Sequence, residues 1–505
     1  MKLTLKLIKN NWQITLVLVL ALVLRLVLIG DSFWLDEAAQ ALEIVRPTNQ
    51  QLNLAKDFQP PLLHLILHFA HRLTGIKSEW FLRSIGALIP GLVTIWATYK
   101  IGEKIANKKA GLLAALLLAS NSFHIFYSQE LRPYSLPAMI GTLSWLTLLK
   151  LQATSSKSQT NLKSQILNIT ILFILSSLGL YSSYLYPFLI LSQIAYVLLF
   201  KRRVVKAFFY SLFFSFLAFL PWLPMFLQQL KIGTAWQSQL PGWSTVVSIT
   251  QFKSLPLVFG KFLYGVIDLE ISATFFFSSF FIVFLLLTSS WQTLKQINKE
   301  KSLKIILIWL MIPLLSAWLV SFIIPVLRPK RVLYLLPAFY LFVSYLLYSP
   351  KKSLLVKLTL AILLTTNLLS TFSYYRNPNY QREDWRNLQS QIYNKFDTKD
   401  TLLIFSFDEV FAPWIWYEKN SKLIIQNQKF DTLVTGKLYI NNINNLEKKL
   451  ELIKNYKTIL VFDYLRDLTD PDDRLLSSIR NKGFAEVGAL DQENIGLVRI
   501  YLNLH

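Results

Sequence analysis

The segment Asp31-Ser32-Phe33-Trp34-Leu35-Asp36-Glu37-Ala38-Ala39-Gln40-Ala41-Leu42-Glu43 places a carboxylate pair at the head of a helix-forming stretch, directly after a long apolar run. Asp36 in an N-cap position would sit at a water–lipid boundary, where desolvation and a nearby cation decide its protonation. A carboxylate so held can take a proton from an attacking hydroxyl. The plainer alternative is that Asp36 only caps the helix and Glu37 only complements its dipole. Three basic sites recur around this pair: Arg83 in Ser78-Glu79-Trp80-Phe81-Leu82-Arg83-Ser84, Arg132 in Tyr127-Ser128-Gln129-Glu130-Leu131-Arg132-Pro133-Tyr134, and the cluster Arg328-Pro329-Lys330-Arg331. Cations beside a carboxylate suit a reaction that expels a phosphate; taken singly, each also reads as a snorkelling residue at the headgroups. His64, His68 and His71 fall at i, i+4 and i+7 on one helix face, a spacing compatible with a divalent metal such as zinc. No carboxylate is interleaved, so no metal ligand and no cofactor is assigned.

These groups must be positioned by membrane-spanning helices. Of 505 residues, 53% are hydrophobic and 16% charged, and apolar runs of roughly 20 residues recur from Trp12 to about Tyr374. The pattern predicts a polytopic α-helical membrane protein with about 11 transmembrane helices, at about 12–30, 79–100, 109–126, 134–150, 164–181, 183–200, 207–228, 271–290, 304–324, 332–349 and 355–374. Residues 1–374 carry 34 Lys+Arg against 11 Asp+Glu, whereas 375–505 carry 18 of each. The excess positive charge is therefore confined to the membrane part, where basic residues mark cytoplasmic loops, and calls for no nucleic-acid partner. With the N-terminus inside, 21 basic residues lie in inner segments and 11 in outer loops. An odd number of spans then puts the C-terminal part outside the cytoplasmic membrane. The apolar run ending Leu28-Ile29-Gly30-Asp31 lacks a small-x-small cleavage pattern and reads as an uncleaved first span. Two domains follow: residues 1–375, whose outer loop 31–78 carries the acidic motif, and an extracytoplasmic α/β domain over 376–505. Its strands are expected at 401–405, 458–462 and 496–500 and its helices at 382–395, 441–455 and 472–482. The long segment 229–270 reads either as a lid over a lipid substrate or as an aromatic anchor. With no cysteine there is neither a disulfide nor a thiolate metal site.

Together the motifs resemble the polytopic GT-C glycosyltransferases, in particular the superfamily of protein O-mannosyltransferases and lipid A aminoarabinose transferases. The matching pieces are Asp36-Glu37, the Pro60-Pro61-Leu62 turn, Glu79-x-x-x-Arg83-Ser84, Ser128-Gln129-Glu130-x-Arg132-x-Tyr134-Ser135-Leu136 and Arg331-Val332-Leu333-Tyr334-Leu335-Leu336-Pro337, with most of the likeness in residues 12–150. The resemblance implies a polyprenyl-phosphate-linked sugar donor, and an acceptor hydroxyl on an envelope lipid, glycan or protein. It also implies transfer at the outer face with inversion. By that analogy Asp36 is the general base and Glu37 orients the base or the acceptor. Arg132, Arg331, Arg83 and Arg328 hold the donor phosphate, while Gln59, Glu130 and Tyr134 support the acceptor side. Relatives often carry His before the Pro-Pro-Leu turn, where this chain has Gln59. Two other classes remain open at this level: a lipid-linked-saccharide flippase, which expects ionisable residues along a route through the spans, and a membrane scaffold presenting an α/β binding domain.

Overall fold

The computed structural model describes residues 2–54, 57–156, 162–239, 251–267, 273–289, 291, 301–348, 354–397, 400–405, 411–418, 437–439, 446 and 450–504. An α-helix lies at each predicted span position. Helices α1 (Lys2–Leu26), α2 (Leu35–Ile44), α3 (Leu62–Thr74) and α4 (Glu79–Arg83) come first, and α4 runs through a π-helical turn, Ser84–Leu88, into α5 (Ile89–Ile105). Then follow α6 (Lys108–Ser120), α7 (Ser122–Tyr127), α8 (Ser135–Ser156), α9 (Leu162–Leu180), α10 (Tyr186–Phe200), α11 (Val205–Phe219), α12 (Leu223–Gln239), α13 (Gln251–Tyr264), α14 (Ala273–Ser289), α15 (Lys301–Val320), α16 (Leu336–Leu347) and α17 (Leu354–Arg376). Among the described residues, five continuous helical stretches are long and apolar enough to cross a membrane: Glu79–Ile105, Arg202–Gly233, Lys301–Val320, Pro329–Leu347 and Leu354–Arg376. Five shorter apolar helices accompany them. The chain is a multi-pass membrane protein.

Two local features shape the end of this bundle that carries the loop 31–78. The third predicted span is broken at Asn121, whose side-chain oxygen accepts the His124 N–H (3.0 Å) while its amide donates to the Tyr340 hydroxyl (2.8 Å). An amide that caps one helix and bonds another pins the break between α6 and α7. In the second span, the π turn directly after Arg83 inserts one extra residue and rotates the helix beyond it, a device common at functional sites. Farther in, α5 and α6 touch backbone to backbone: a Cβ on Gly111 would lie 2.5 Å from the Tyr99 carbonyl oxygen. Segment 229–270 is largely helical where described, because α12 runs to Gln239 and α13 starts at Gln251. Of its predicted markers, Pro241, Gly242 and Trp243 lie outside the described residues.

After α17 come α18 (Trp385–Lys395), β1 (Thr401–Phe405), α19 (Phe411–Tyr417), β2 (Lys437–Tyr439), β3 (Thr458–Phe462), α20 (Arg474–Asn481), β4 (Phe484–Gln492) and β5 (Gly496–Asn503). The sheet order is β2-β1-β3-β5-β4, with β1 parallel to β2 and β3, and β5 antiparallel to both β3 and β4. Strands β1 and β3, each a threonine followed by four apolar residues, are central, as continuous hydrophobic runs require. Their alternate side chains feed two cores. Leu402, Ile404, Ile459 and Val461 pack on α20 through Leu475, Leu476 and Ile479, while Leu403, Phe405, Leu460 and Phe462 pack on Trp385, Leu388, Ile392 and Trp414. That second face adjoins the membrane part, because Trp416, Tyr417, Tyr464 and Leu465 also pack against the core of the helical bundle. Sequence periodicity places β1, β3 and β5 and the helices at 385–395 and 474–481. It overlooks β2 and the edge strand β4. Of the helix expected over 441–455, the described residues are Leu446, which is helical, and a 3₁₀ turn, Leu450–Asn455.

Candidate active site

Helix α2 starts at Leu35, so Asp36 is its second residue and not its cap; Trp34 occupies the N-cap and contributes no side-chain bond. This corrects the expectation of an Asp36 cap: a residue inside the first turn projects sideways rather than back onto the free N–H groups. The Asp36 side chain retains 35% exposure, and its Oδ2 lies 3.8 Å from Arg132 Nε. Arg132 Nη1 donates to the Asp36 carbonyl oxygen (3.3 Å) and to Asp57 Oδ1 (3.4 Å). Behind this pair stands a second acidic couple. Burial and the neighbouring Asp57 push Glu43 up to about 8, while burial, partly offset by Arg132, pushes Asp57 up to about 6.

The opposite wall comes from the turn before α16. Lys330 Nζ lies 5.6 Å from the Trp34 ring centroid and 5.5 Å from that of Tyr134, a cation held between two aromatic faces beside Asp36 and Glu130. Tyr134 is 9% exposed and leans edge-on against Tyr127 (5.1 Å). Arg331, next to Lys330 in the chain, is open to solvent. Its Nη1 reaches the carbonyls of Pro325 and Val326 at 3.4 Å each, and its charge is felt by Arg132 and Asp36. Half-buried Arg328 senses the like charge of Arg331. Like charges gathered around an accessible carboxylate leave a strong electrostatic demand for an anion.

Two predicted residues do not join this cluster. Glu37 is fully buried. Its oxygens accept from Arg83 Nε (2.9 Å) and Nη2 (2.5 Å) and from the Leu131 N–H (2.6 Å), and Arg382 Nε stands 3.6 Å away. Burial alone would raise its pKa, but Arg83 and Arg382 outweigh burial and hold it below the usual carboxylate range. Arg83, also fully buried, places its other three N–H bonds on the carbonyls of Ile29, Asp31 and Ser32. All five guanidinium donors are spent within the protein, so Arg83 has none for a donor phosphate and Glu37 has no path to an acceptor. Both instead lock the segment 29–37 to the second span and to the turn that carries Arg132.

The remaining candidates are supports. Glu130 is 1% exposed, its Oε1 has no hydrogen-bond partner, and burial, despite Lys330 and Arg382, pushes it up to about 7. Gln59 offers its carbonyl to Gln229 Nε2 (3.2 Å), which also bonds Leu54 O (2.6 Å), so the Pro60-Pro61 turn is pinned to α12. The chain reaches that turn through Phe58 at φ +48°, a left-handed conformation that non-glycine residues rarely adopt. His64 and His68 are engaged by Gln40 and by Thr48 and the Ile44 carbonyl. Burial first, and Arg46 second, lower His64 to about 4. Among the described residues no cluster of three or more potential metal ligands occurs. Sequence reading missed Asp57, Lys330 as an individual residue, and the pair Arg382-Glu383. The signal for the last was the dense run Arg382-Glu383-Asp384-Trp385-Arg386 straight after the final span, which otherwise reads as a solvated face.

Residues 58–226 match the family model for dolichyl-phosphate-mannose-protein mannosyltransferases. The matched segment contains Arg83, Glu130, Arg132 and Tyr134 but neither Asp36-Glu37 nor the Arg328–Arg331 turn, and so reaches past the 12–150 stretch where the likeness was expected to concentrate. No curated protein matches by sequence. Among solved structures, ArnT from Cupriavidus metallidurans aligns with a TM-score of 0.57 at 12% identity, covering 98% of each chain. The same protein bound to undecaprenyl phosphate aligns with a TM-score of 0.56 at 11% identity, over 97% of this chain and 98% of that one. The oligosaccharyltransferase AglB of Archaeoglobus fulgidus, bound to an inhibitory peptide and a dolichol phosphate, aligns with a TM-score of 0.52 at 13% identity, over 94% of this chain and 73% of its own. The chain therefore has the fold of the polytopic GT-C glycosyltransferases along nearly its whole length and, over residues 58–226, the sequence pattern of the dolichyl-phosphate-mannose-protein mannosyltransferase family.

Proposed function

We propose that this protein is an integral-membrane glycosyltransferase that moves a sugar from a polyprenyl monophosphate to a hydroxyl on an envelope lipid, glycan or protein, at the outer face of the cytoplasmic membrane. The observation that carries this reading is the meeting of Asp36, a partly exposed carboxylate, with Arg132, Lys330 and Arg331 from two other loops, with Arg328 beside Arg331. Asp36 takes the proton from the acceptor hydroxyl as that oxygen attacks the anomeric carbon. The bond from that carbon to the phosphate oxygen breaks, and the departing phosphate gains one negative charge. Preorganised cations contribute most at the point where this charge develops. Attack from the side opposite the phosphate inverts the anomeric centre. The undecaprenyl phosphate and dolichol phosphate bound in the two similar structures are the chemical class such a cation cluster suits. The count of basic residues in inner and outer loops supports the sidedness, with the α/β domain outside.

The test is turnover of undecaprenyl phosphate carrying radiolabelled mannose, glucose or arabinose, with membrane extract as acceptor. Asp36→Asn keeps donor binding and loses roughly 10²- to 10⁴-fold in rate, the range for removing a general base. Equal turnover by wild type and Asp36→Asn sinks the assignment of the base.

A further inference from the structure

Resting on that reading of Asp36 as the base, we infer that the C-terminal domain completes the active site, with Glu383 acting as the positioning residue for the helix that carries Asp36. Helix α2 has no cap of its own, and the N–H of its first residue, Leu35, is instead accepted by Glu383 Oε2 at 3.3 Å. That residue is the immediate neighbour of Asp36. The Glu383 carboxylate is itself held from two directions, by Trp385 Nε1 on Oε2 (2.6 Å) and by the Tyr464 hydroxyl on Oε1 (2.5 Å), with the two rings packed edge to face at 5.3 Å. It is 9% exposed. An anion fixed at a helix N-terminus substitutes for a local cap and also sets the direction in which the helix leaves.

The rest of the loop before Asp36 is tied to the same domain. The Tyr417 hydroxyl accepts the Phe33 N–H (2.6 Å) and donates to Glu79 Oε1 (2.8 Å). Arg386 bonds Glu79 (2.5 Å) and the Gly30 carbonyl (3.3 Å), and its backbone N–H reaches Ser32 Oγ (3.3 Å). Arg382 bridges three elements, donating to the Tyr374 hydroxyl (3.3 Å) and the Phe126 carbonyl (3.0 Å) while its Nε faces Glu37. Segment 30–37 thus meets the α/β domain at Gly30, Ser32, Phe33, Leu35 and Glu37. Two of these contacts fall on the first turn of α2: the ion pair of Arg382 with the Glu37 side chain, and the hydrogen bond of Glu383 to the Leu35 backbone N–H, which acts on the helix backbone itself. Burial, opposed by the bonds from Tyr464, Trp385 and Leu35, pushes Glu383 up to about 7.

The experiment compares wild type, Glu383→Ala, Glu383→Gln and Asp36→Asn in the full-length protein. It measures kcat and donor KM with radiolabelled undecaprenyl-phosphate sugar, and binding of undecaprenyl phosphate. Glutamine keeps an acceptor for the Leu35 and Trp385 N–H groups, whereas alanine removes it. Glu383→Ala is expected to lose about 10- to 100-fold in kcat, the scale for misplacing a reacting group by about 1 Å, with KM and undecaprenyl-phosphate binding within about threefold of wild type. Glu383→Gln restores kcat to within about threefold. Wild-type kcat in Glu383→Ala overturns the inference, as does a parallel loss of phosphate-lipid binding, which marks general damage. Failure of the functional reading shows separately, as wild-type turnover by Asp36→Asn.

Discussion

Glu37 and Asp36 are adjacent in sequence, yet their substitutions should fail in different ways, and the difference can be worked from their surroundings. Replacing Glu37 by Ala removes two charge-assisted bonds from Arg83, the contact to Arg382 and the acceptor of the Leu131 N–H. It leaves a fully buried guanidinium with only three backbone carbonyls. Breaking a buried ion pair from one side costs about 3–5 kcal/mol, and an orphaned N–H adds about 1–3 kcal/mol. Removing Arg83 instead, as Arg83→Met, strands Glu37 with Arg382 as its remaining counter-ion and loses the three carbonyl bonds. The double variant should cost clearly less than the sum of the two, because each single loss includes the penalty of a charge left alone. Coupling of about 2 kcal/mol or more is expected for such contacting charges. The assay is an SDS-unfolding midpoint in mixed micelles followed by tryptophan fluorescence, with Asp36→Asn as the control. Asp36, at 35% side-chain exposure and 3.8 Å from its partner, should leave the midpoint nearly unchanged while abolishing turnover. Additivity of Glu37→Ala and Arg83→Met within about 0.5 kcal/mol would refute the argument, as would an unaltered midpoint in either one.

Other outcomes follow from the same geometry. Lys330→Met and Arg331→Gln should each weaken undecaprenyl-phosphate binding by about 10- to 100-fold, the loss of one charge-assisted contact; titration by tryptophan quenching at low and high salt measures this. Glu130 has its folded pKa raised to about 7 from 4.5. The folded state therefore binds the extra proton, and the group's destabilising effect is full above pH 7, shrinks as pH falls through 7 and vanishes below about 4.5. Glu130→Gln should accordingly raise the melting midpoint at pH 8.5 and change it little at pH 5, and an equal shift at both would contradict the burial argument. Gly111→Ala forces a methyl to within 2.5 Å of the Tyr99 carbonyl and 2.8 Å of the Glu103 nitrogen, backbone atoms that cannot yield. A loss of about 1–3 kcal/mol is expected, seen as a lower unfolding midpoint. Because the chain has no cysteine, Asp472→Cys should react with a membrane-impermeant maleimide in intact cells and Lys104→Cys only after permeabilisation; the reverse pattern overturns the orientation.

Much of the fold is legible in the sequence because the bilayer imposes a simple rule. A span must be long and apolar, and the lysines at 100–109, 201–206 and 351–357 mark where the chain turns on one side. The strands at 401–405 and 458–462 stand out for a related reason, being buried on both faces. Less visible were β4, whose exposed polar edge lacks a hydrophobic run, and the helical nature of much of 229–270. In the site, Asp36, Arg132, Arg328 and Arg331 were recognisable as charged groups at span ends. Residue type does not tell whether such a group faces solvent or another side chain, and Arg83 and Glu37 face each other.

Length, hydropathy and charge placement act locally, and they alone specify a multi-pass membrane protein with a small α/β domain whose carboxylate pair and arginines sit where spans end. Which member of Asp36-Glu37 is accessible, that Lys330 joins the cationic wall, and that Glu383, some 350 residues away, holds the first N–H of the Asp36 helix are settled by long-range packing. Those outcomes depend on which buried charges find partners across distant elements, and no short-range pattern in a chain records that pairing.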